Sequence, residues 1–368
     1  MNAALLTQPL SPWQDGSGAY TDVVIDSRIR LVRNLARHRF PQQADNAELA
    51  AVAAEGQQVM PALSALGQGT YEYVDLAALT PLQRELLAAK HISSASQISH
   101  PEHRGLMLRQ DGAVSVMVND SDHFCIHTAA SGCSISRVWD MAAAADDCLE
   151  EHMAFAFRDD FGYLTASPSM TGTGLVAAVT IHVPALVMMK RLNRIAQGIT
   201  KFGFSLHGLY GVQGEYIGNI FQISNQLTLG VTEEETLGQL KKITEQVVQE
   251  ERSCRCRLWD SHRDELHDAF CRSYGLLSTA WLMSEQEAVS LLSDLQFAMN
   301  VDVISADPLA YEELLLTSTA AFLQYQAGKV LTDTELDRLR AAAIRRRMTM
   351  QMMPPAKEIM QGSEHTYE

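Results

Sequence analysis

Hydrophobic and polar positions divide this chain into stretches of different period. From Gly105 to about Leu229, short apolar runs alternate with polar punctuation: LMLRQ, VSVMVN, HFCIHT, LVAAVTIHV, FSLHGLY and FQISNQLTL. Runs of this length, bounded by Gly, Pro, Asp and Ser, predict strands. Two helical patterns interrupt them, around Arg137–Met153 and Pro184–Ala196. Upstream, Val23–Ile29 alternates like a strand, while Asn46–Leu66 and Thr80–His91 read as helices. After Gly230 the period turns helical. Thr232–Glu235 forms a capping box, and Leu237, Leu240, Ile243, Val247 and Val248 follow on one face. Ser284–Glu287 repeats the capping signal ahead of Val289, Leu291, Leu292 and Leu295, and Asp333–Met348 reads as a last amphipathic helix.

Strands mixed with helices predict an α+β domain with a largely antiparallel sheet. It is expected over residues 1–255, with a helical N-terminal part to about residue 100. An all-helical domain is expected over 256–352, beyond a boundary that a long helix can cross, with a disordered polar tail over 353–368.

Composition narrows the function classes. The chain is 46% hydrophobic and 20% charged, as expected of a soluble globular protein. Its net charge of −15 argues against general nucleic-acid binding, which needs clustered Lys and Arg. The six cysteines include no C-x-x-C, and no Cys/His group has zinc-finger spacing, so no metal site is expected. Reduced thiols and a cytoplasmic location fit this usage. The N-terminal stretch lacks a basic n-region, and no apolar run of membrane-spanning length occurs, so neither a signal peptide nor a membrane association is expected.

Three clusters carry candidate chemistry. In DSRIRLVRNLARHRFP, Arg28 and Arg30 lie two apart, which on a strand places them on one face. Planar guanidiniums suit phosphate, although an exposed basic strand edge looks the same. In TASPSMTGTGLVAAVTIHV, Gly172-Thr-Gly174 permits either close approach to a ligand or a tight turn. The third, HGLYGVQGEYIGNIFQISNQLTLG, is rich in glycine. Between the first two lies VMVNDSDHFCIH, Val116 to His127, a polar cluster between strands where a serine and a cysteine sit among acids.

These segments, in this order, resemble the ATP:guanidino phosphotransferase family, and within it the bacterial protein-arginine kinases. SRIRLVRNL is similar to the family's S-R-I/V-R-L-A-R-N-L, and GLYG…GNIFQISNQLTLG to its G-L-Y-G…G-N-L-F-Q-I-S-N-Q-x-T-L-G. RSYGLL, LSDLQ and FLQYQAGKVL resemble the helical C-terminal domain. The resemblance covers roughly residues 12 to 350. It implies a catalytic domain built on an antiparallel sheet flanked by helices, then a helical domain that dimerises and holds a phosphoarginine pocket. It also implies transfer of the γ-phosphoryl group of MgATP to a guanidinium, within an arginine cradle and with a carboxylate as base.

Residue by residue, the resemblance is uneven. Ser27, Arg28, Ile29, Arg30 and Leu31 match the nucleotide-binding run, and His91 stands where the subfamily has a histidine near the nucleotide. The family's N-E-E-D-H-I/L-R corresponds to Asn119-Asp-Ser-Asp-His-Phe-Cys125, so the base position is Ser121 and a phosphate-binding arginine is Cys125. The reactive cysteine corresponds to Ser167, the asparagine of that motif to Met170, and a further phosphate arginine to Val176. R-G-L-Y-G-E has become His207-Gly-Leu-Tyr-Gly-Val212, with an arginine and a substrate carboxylate both gone. A hydroxyl cannot act as a carboxylate base, and loss of general-base catalysis alone is worth about 10²–10⁴-fold.

The implied reading is a catalytically impaired kinase homologue, a scaffold, adaptor or regulator in protein quality control. ATP and Mg²⁺ are expected only if nucleotide binding is retained. Implied partners are a second copy through the C-terminal domain, a zinc-finger activator protein and a Clp-type ATPase. The alternative is an active kinase with a rearranged site, in which Asp120 or Asp122 is the base and Glu215 replaces the carboxylate lost at Val212. A third reading is a phosphoarginine-binding module. The R-D-x-x-R-A pocket motif appears as Leu336-Asp-Arg-Leu-Arg-Ala341, in which Asp337, Arg340 and Ala341 match. The plain expectation for Arg338, Arg340, Arg345, Arg346 and Arg347 is the solvated face of a helix.

Overall fold

The computed structural model describes residues 3–211 and 216–351. Its centre is an antiparallel sheet of eight strands. In chain order the strands are β1 (Val24–Arg33), β2 (Tyr71–Asp75), β3 (Gly105–Arg109), β4 (Val114–Val118), β5 (Phe124–Ser131), β8 (Leu175–His182), β9 (Phe204–Gly208) and β10 (Ile220–Asn225). The short strands β6 (Phe157–Arg158) and β7 (Gly162–Tyr163) form a separate ribbon. The order across the sheet is β2-β3-β4-β5-β1-β8-β10-β9. β1 therefore lies inside the sheet although it comes first in sequence, and its neighbours come from two distant segments, β5 and β8.

Alternation along β1 sorts its residues between two faces. Ile29 and Leu31 are fully buried and join Val116, Val118, Ile126, Val179 and Ile181 in the main core. Helices α2 (Asn46–Ala65), α5 (Ile135–His152) and α8 (Glu233–Ser261) contribute to that core. Arg28 and Arg30 take the other face. There a second cluster gathers Val32, Leu106, Leu108, Met117 and Cys125 with residues of α1 (Ala3–Thr7), α3 (Pro81–Ala89) and a helix near the C-terminus. Short α4 (Ala95–Ser99) follows α3.

The expected single helix at 184–196 is two helices, α6 (Pro184–Met188) and α7 (Leu192–Thr200). Lys190, with φ of 58°, breaks it between them. β2, inside a polar TYEYVD stretch, was not expected from the pattern. The capping box at Thr232 and Glu235 forms in full at the start of α8.

Beyond α8 the described chain is helical: α9 (Arg263–Thr279), α10 (Glu285–Asn300), α11 (Ala310–Thr317), α12 (Ala320–Ala327) and α13 (Asp333–Gln351). Phe322 of α12 is buried in the second cluster, so this helical region packs back onto the sheet. No described helix is long and apolar enough to cross a membrane. The tail expected over 353–368 lies outside the described residues.

Candidate active site

Strand register assembles a polar face from separate segments. Arg30 stands opposite His127 on β5 and Val176 on β8, and Arg28 opposite Ala129 and Ala178. Val32 stands opposite Cys125, while Asp26, Thr180, Gln222 and His207 form one cross-strand row. Directly opposed residues share a face. Arg28, Arg30, Cys125, Val176 and His207 are thus brought together on one side of the sheet. Ser27, Ile29 and Leu31 turn to the other. The Ser27 hydroxyl donates to the carbonyl of Gly132 at 2.8 Å, and Ile29 and Leu31 sit in the core.

The two arginines are already engaged. Arg28 donates from Nε and Nη2 to the two carboxylate oxygens of Asp26, at 2.9 and 2.7 Å. The Thr180 hydroxyl also donates to Asp26, at 2.8 Å. Although burial opposes ionisation of Asp26, the charge and hydrogen bonds of Arg28 bring its pKa below the ordinary range. Arg30 donates from Nε to Sγ of buried Cys125 at 3.0 Å. Burial pushes the Cys125 thiol up, so a neutral thiol stands there.

His91 approaches this pair with a backbone φ of 56°, and the Arg28 guanidinium holds its imidazole below the usual range. Val176 offers a partly buried apolar side chain opposite Arg30, and His207 is exposed on edge strand β9.

A cavity of about 100 Å³ lies over Arg28, bounded by Asp26, His91, Thr180 and Tyr210 and closed by Glu312 and Leu316 of α11. Burial, with the nearby charge of Asp26, pushes the Glu312 carboxyl up to about 7. The sequence reading missed Asp26, Tyr210 and Glu312. Asp26 had a legible signal, an acid two positions before Arg28 on a strand and therefore on its face. Glu312 had none, since its partners lie nearly three hundred residues away.

Ser121 and Ser167 meet in a second cleft of about 670 Å³, together with His38, Arg39, Phe40, Gln42, Gln43 and Ala166. Among the described residues lining it there is no carboxylate and no thiol. The Ser167 hydroxyl pairs with that of Ser169 at 2.9 Å, and Met170 packs on the second hydrophobic cluster.

The acids beside Ser121 are engaged by neighbouring groups. Asp120 accepts from the Ser94 hydroxyl at 2.8 Å. Asp122 accepts from Asn34 Nδ2 and the Ala166 amide, both at 2.6 Å, and burial raises its pKa. Asn119, with φ of 57°, donates to the carbonyls of Leu49 and His103, both at 2.8 Å. Nδ1 of His123 accepts from the Leu35 amide at 3.0 Å, which leaves Nε2 to donate to the carbonyl of Arg39 at 3.0 Å. Asn119, Asp122 and His123 therefore work as a joint between segments. Val212 and Glu215 lie outside the described residues.

The Gly172-Thr-Gly174 turn meets protein rather than open space. A Cβ on Gly172 would sit 2.0 Å from the carbonyl oxygen of Thr228, and one on Gly174 2.7 Å from that of Val32, both at positive φ.

The C-terminal cluster is separate. Arg340 is 2% exposed and donates to the carbonyls of Ser318 and Met283, at 2.7 and 2.9 Å, and to Asp337 at 2.8 Å. Ala341 is buried. The expectation of a solvated arginine face fails here for a physical reason. Arg340 supplies donors to carbonyls at helix ends, Arg345 bonds the carbonyl of Ala280, and Arg347 pairs with Glu313. Arg338 and Arg346 are exposed as expected.

A family model described as "ATP:guanido phosphotransferase, C-terminal catalytic domain" matches residues 55–254, and one described as "Protein-arginine kinase McsB C-terminal domain" matches residues 263–359. A protein-arginine kinase of Halothermothrix orenii is 37% identical over 94% of this chain and 99% of its own length. One of Symbiobacterium thermophilum is 38% identical over 94% and 98%. Among solved structures, a lombricine kinase is similar with a TM-score of 0.55 and 21% identity, over 65% of this chain and 68% of its own. The duplicated taurocyamine kinase of Schistosoma mansoni is similar with a TM-score of 0.57 and 22% identity, over 69% of this chain and 39% of its own.

Proposed function

This chain belongs to the ATP:guanido phosphotransferase family, in its protein-arginine-kinase branch, and from that premise we propose that it is a catalytically impaired member, a pseudokinase. Its role in this reading is that of a scaffold, adaptor or regulator in protein quality control, working as a dimer with a zinc-finger activator and a Clp-type ATPase. The observation that carries the reading is the cleft of Ser121 and Ser167. Phosphoryl transfer to a guanidinium needs a base to orient the acceptor and take its proton. The described residues lining that cleft offer hydroxyls, amides, an imidazole and a guanidinium, but no carboxylate.

The nucleotide side supports the same reading. A triphosphate needs free cationic donors. Here Asp26 takes the Arg28 fork, Cys125 accepts from Arg30, and Val176 and Cys125 add no charge. Each charge-assisted hydrogen bond is worth roughly 1.5–3 kcal/mol, so a phosphate arriving at Arg28 must displace a bidentate carboxylate. As they stand, these residues do not fit MgATP well.

The full chain, incubated with MgATP and an arginine-rich protein substrate, should give phosphoarginine at least about 100-fold more slowly than a protein-arginine kinase with an intact base. Mass spectrometry of the products measures this. Turnover matching such a kinase would sink the proposal.

The alternative of an active, rearranged site rests on Asp120 and Asp122, which lie within electrostatic range of Arg30. In that case Asp120→Asn abolishes the turnover.

A further inference from the structure

The Arg28 face is covered by a segment nearly three hundred residues away. α11 and the start of α12 lay Glu312, Leu315, Leu316 and Thr319 over the cavity above Arg28. The space left between is about 100 Å³. Small-molecule sites run to about 300–1,000 Å³, so a nucleotide does not fit there while the cover lies in place. Glu312 also brings a carboxyl within electrostatic range of Arg28 and Asp26. When ionised it repels an incoming phosphate, which adds to the competition from Asp26.

The cover is held unevenly. On the α12 side the contact is apolar. Phe322 is 1% exposed and shares the second hydrophobic cluster with Val32, Leu106 and Cys125 of the sheet, and Leu316 and Tyr325 pack against that cluster. The Thr319 hydroxyl fixes the start of α12 by accepting from the Phe322 amide at 3.3 Å. On the cavity side, the contact with the N-terminal segment is polar and long, Gln14 Nε2 to Glu312 at 3.5 Å. Atoms lining a void lack partners on one side, so this seam carries less packing than a filled one. Turns flank the segment at both ends. Asp302, with φ of 58°, follows α10, and Gly328, with φ of 66°, ends α12. Loop and element-terminal positions of this kind serve as hinges in closing segments.

We infer that α11 and α12 form an autoinhibitory cover, and that nucleotide reaches Arg28 only in the population of molecules whose cover has swung away. The inference rests on reading Arg28 and Arg30 as the nucleotide face, and it adds what keeps that face shut. It does not depend on whether the chain is an active kinase. A closed equilibrium lowers the apparent affinity by the open fraction, so loosening the cover tightens binding. Phe322→Ala and Leu316→Ala loosen it without altering a charge at the site.

Hydrogen exchange read by mass spectrometry, together with calorimetry against MgATP, tests it on the full chain. Both variants should speed amide exchange across residues 310–327 without nucleotide and tighten MgATP binding about tenfold. Adding Arg28→Ala to either variant should abolish the gain. If circular dichroism shows that Phe322→Ala has lost the fold, the milder Leu316→Ala decides. Faster exchange with unchanged affinity overturns the inference, and with it the reading of this face as a nucleotide site. Tighter binding with unchanged exchange, or a gain that survives Arg28→Ala, overturns the cover and leaves that reading standing. The cover is also overturned if neither exchange nor affinity changes.

Discussion

Asp26 decides what Arg28 can do. The two residues stand on one strand face, and the carboxylate occupies both ends of the guanidinium fork. Asp26→Asn should therefore raise ATP affinity about tenfold, since one charge-assisted pair no longer competes with phosphate. The same change leaves Arg28 short of its partner and should destabilise the fold by on the order of 3 kcal/mol. Calorimetry with ATP and urea denaturation measure the two effects, and an unchanged ATP affinity would show that Asp26 does not guard the site. At this scale much was legible. Set against the motifs of the family they resemble, Ser121, Cys125 and Val176 stand where charged side chains are expected and Ser167 where a cysteine is. The partner of Arg28 was legible as well, because a strand puts positions i and i+2 on one side. The engagement of Arg30 with Cys125 was not, since ninety-five positions separate them and only strand register brings them together.

Among the elements, α11 and α13 carry the strongest consequences. Arg340 of α13 ties the carbonyls of Ser318 and Met283 to Asp337 while almost wholly buried. Replacement by Met should cost about 3–5 kcal/mol, read as a lower urea midpoint, because three acceptors lose their donor. If Arg340→Met leaves the midpoint unchanged, Arg340 is not a structural tie and is available to a phosphoarginine.

Glu312 of α11 makes a different prediction. Its folded pKa of about 7 exceeds the ordinary 4.5, so the folded state holds the proton longer. The associated stability is fully present below about 4.5 and is lost as pH rises through 7. Glu312→Gln should abolish that loss, by at most about 3 kcal/mol, in urea titrations compared at pH 4.5 and 7.5. Parallel pH dependence in both proteins would refute the assignment. The helices themselves were largely visible in advance, because capping boxes and the 3.6-residue period are local. The break at Lys190 and the strand β2 were not, since a left-handed residue and a polar edge strand have weak local signatures.

For the whole molecule, the sheet and helices α8 to α13 form the frame within which both clefts are defined. Local periodicity sufficed to read an antiparallel α+β domain followed by helices, because each element's hydrophobic pattern is contained in its own few residues. The resemblance of its motifs to those of the guanidino phosphotransferases sufficed to place the chain in that family and to name the positions where its side chains differ. Tertiary structure alone decided the strand order that sets β1 between β5 and β8, and with it the single polar face. It alone showed that Asn119, Asp122 and His123 are a joint, that Arg340 is internal, and that α11 and α12 return to cover the sheet. Side-chain identity is carried by each residue. Charge compensation and burial are properties of pairs, and pairs such as Arg30 with Cys125 or Glu312 with Gln14 meet only after distant segments have packed.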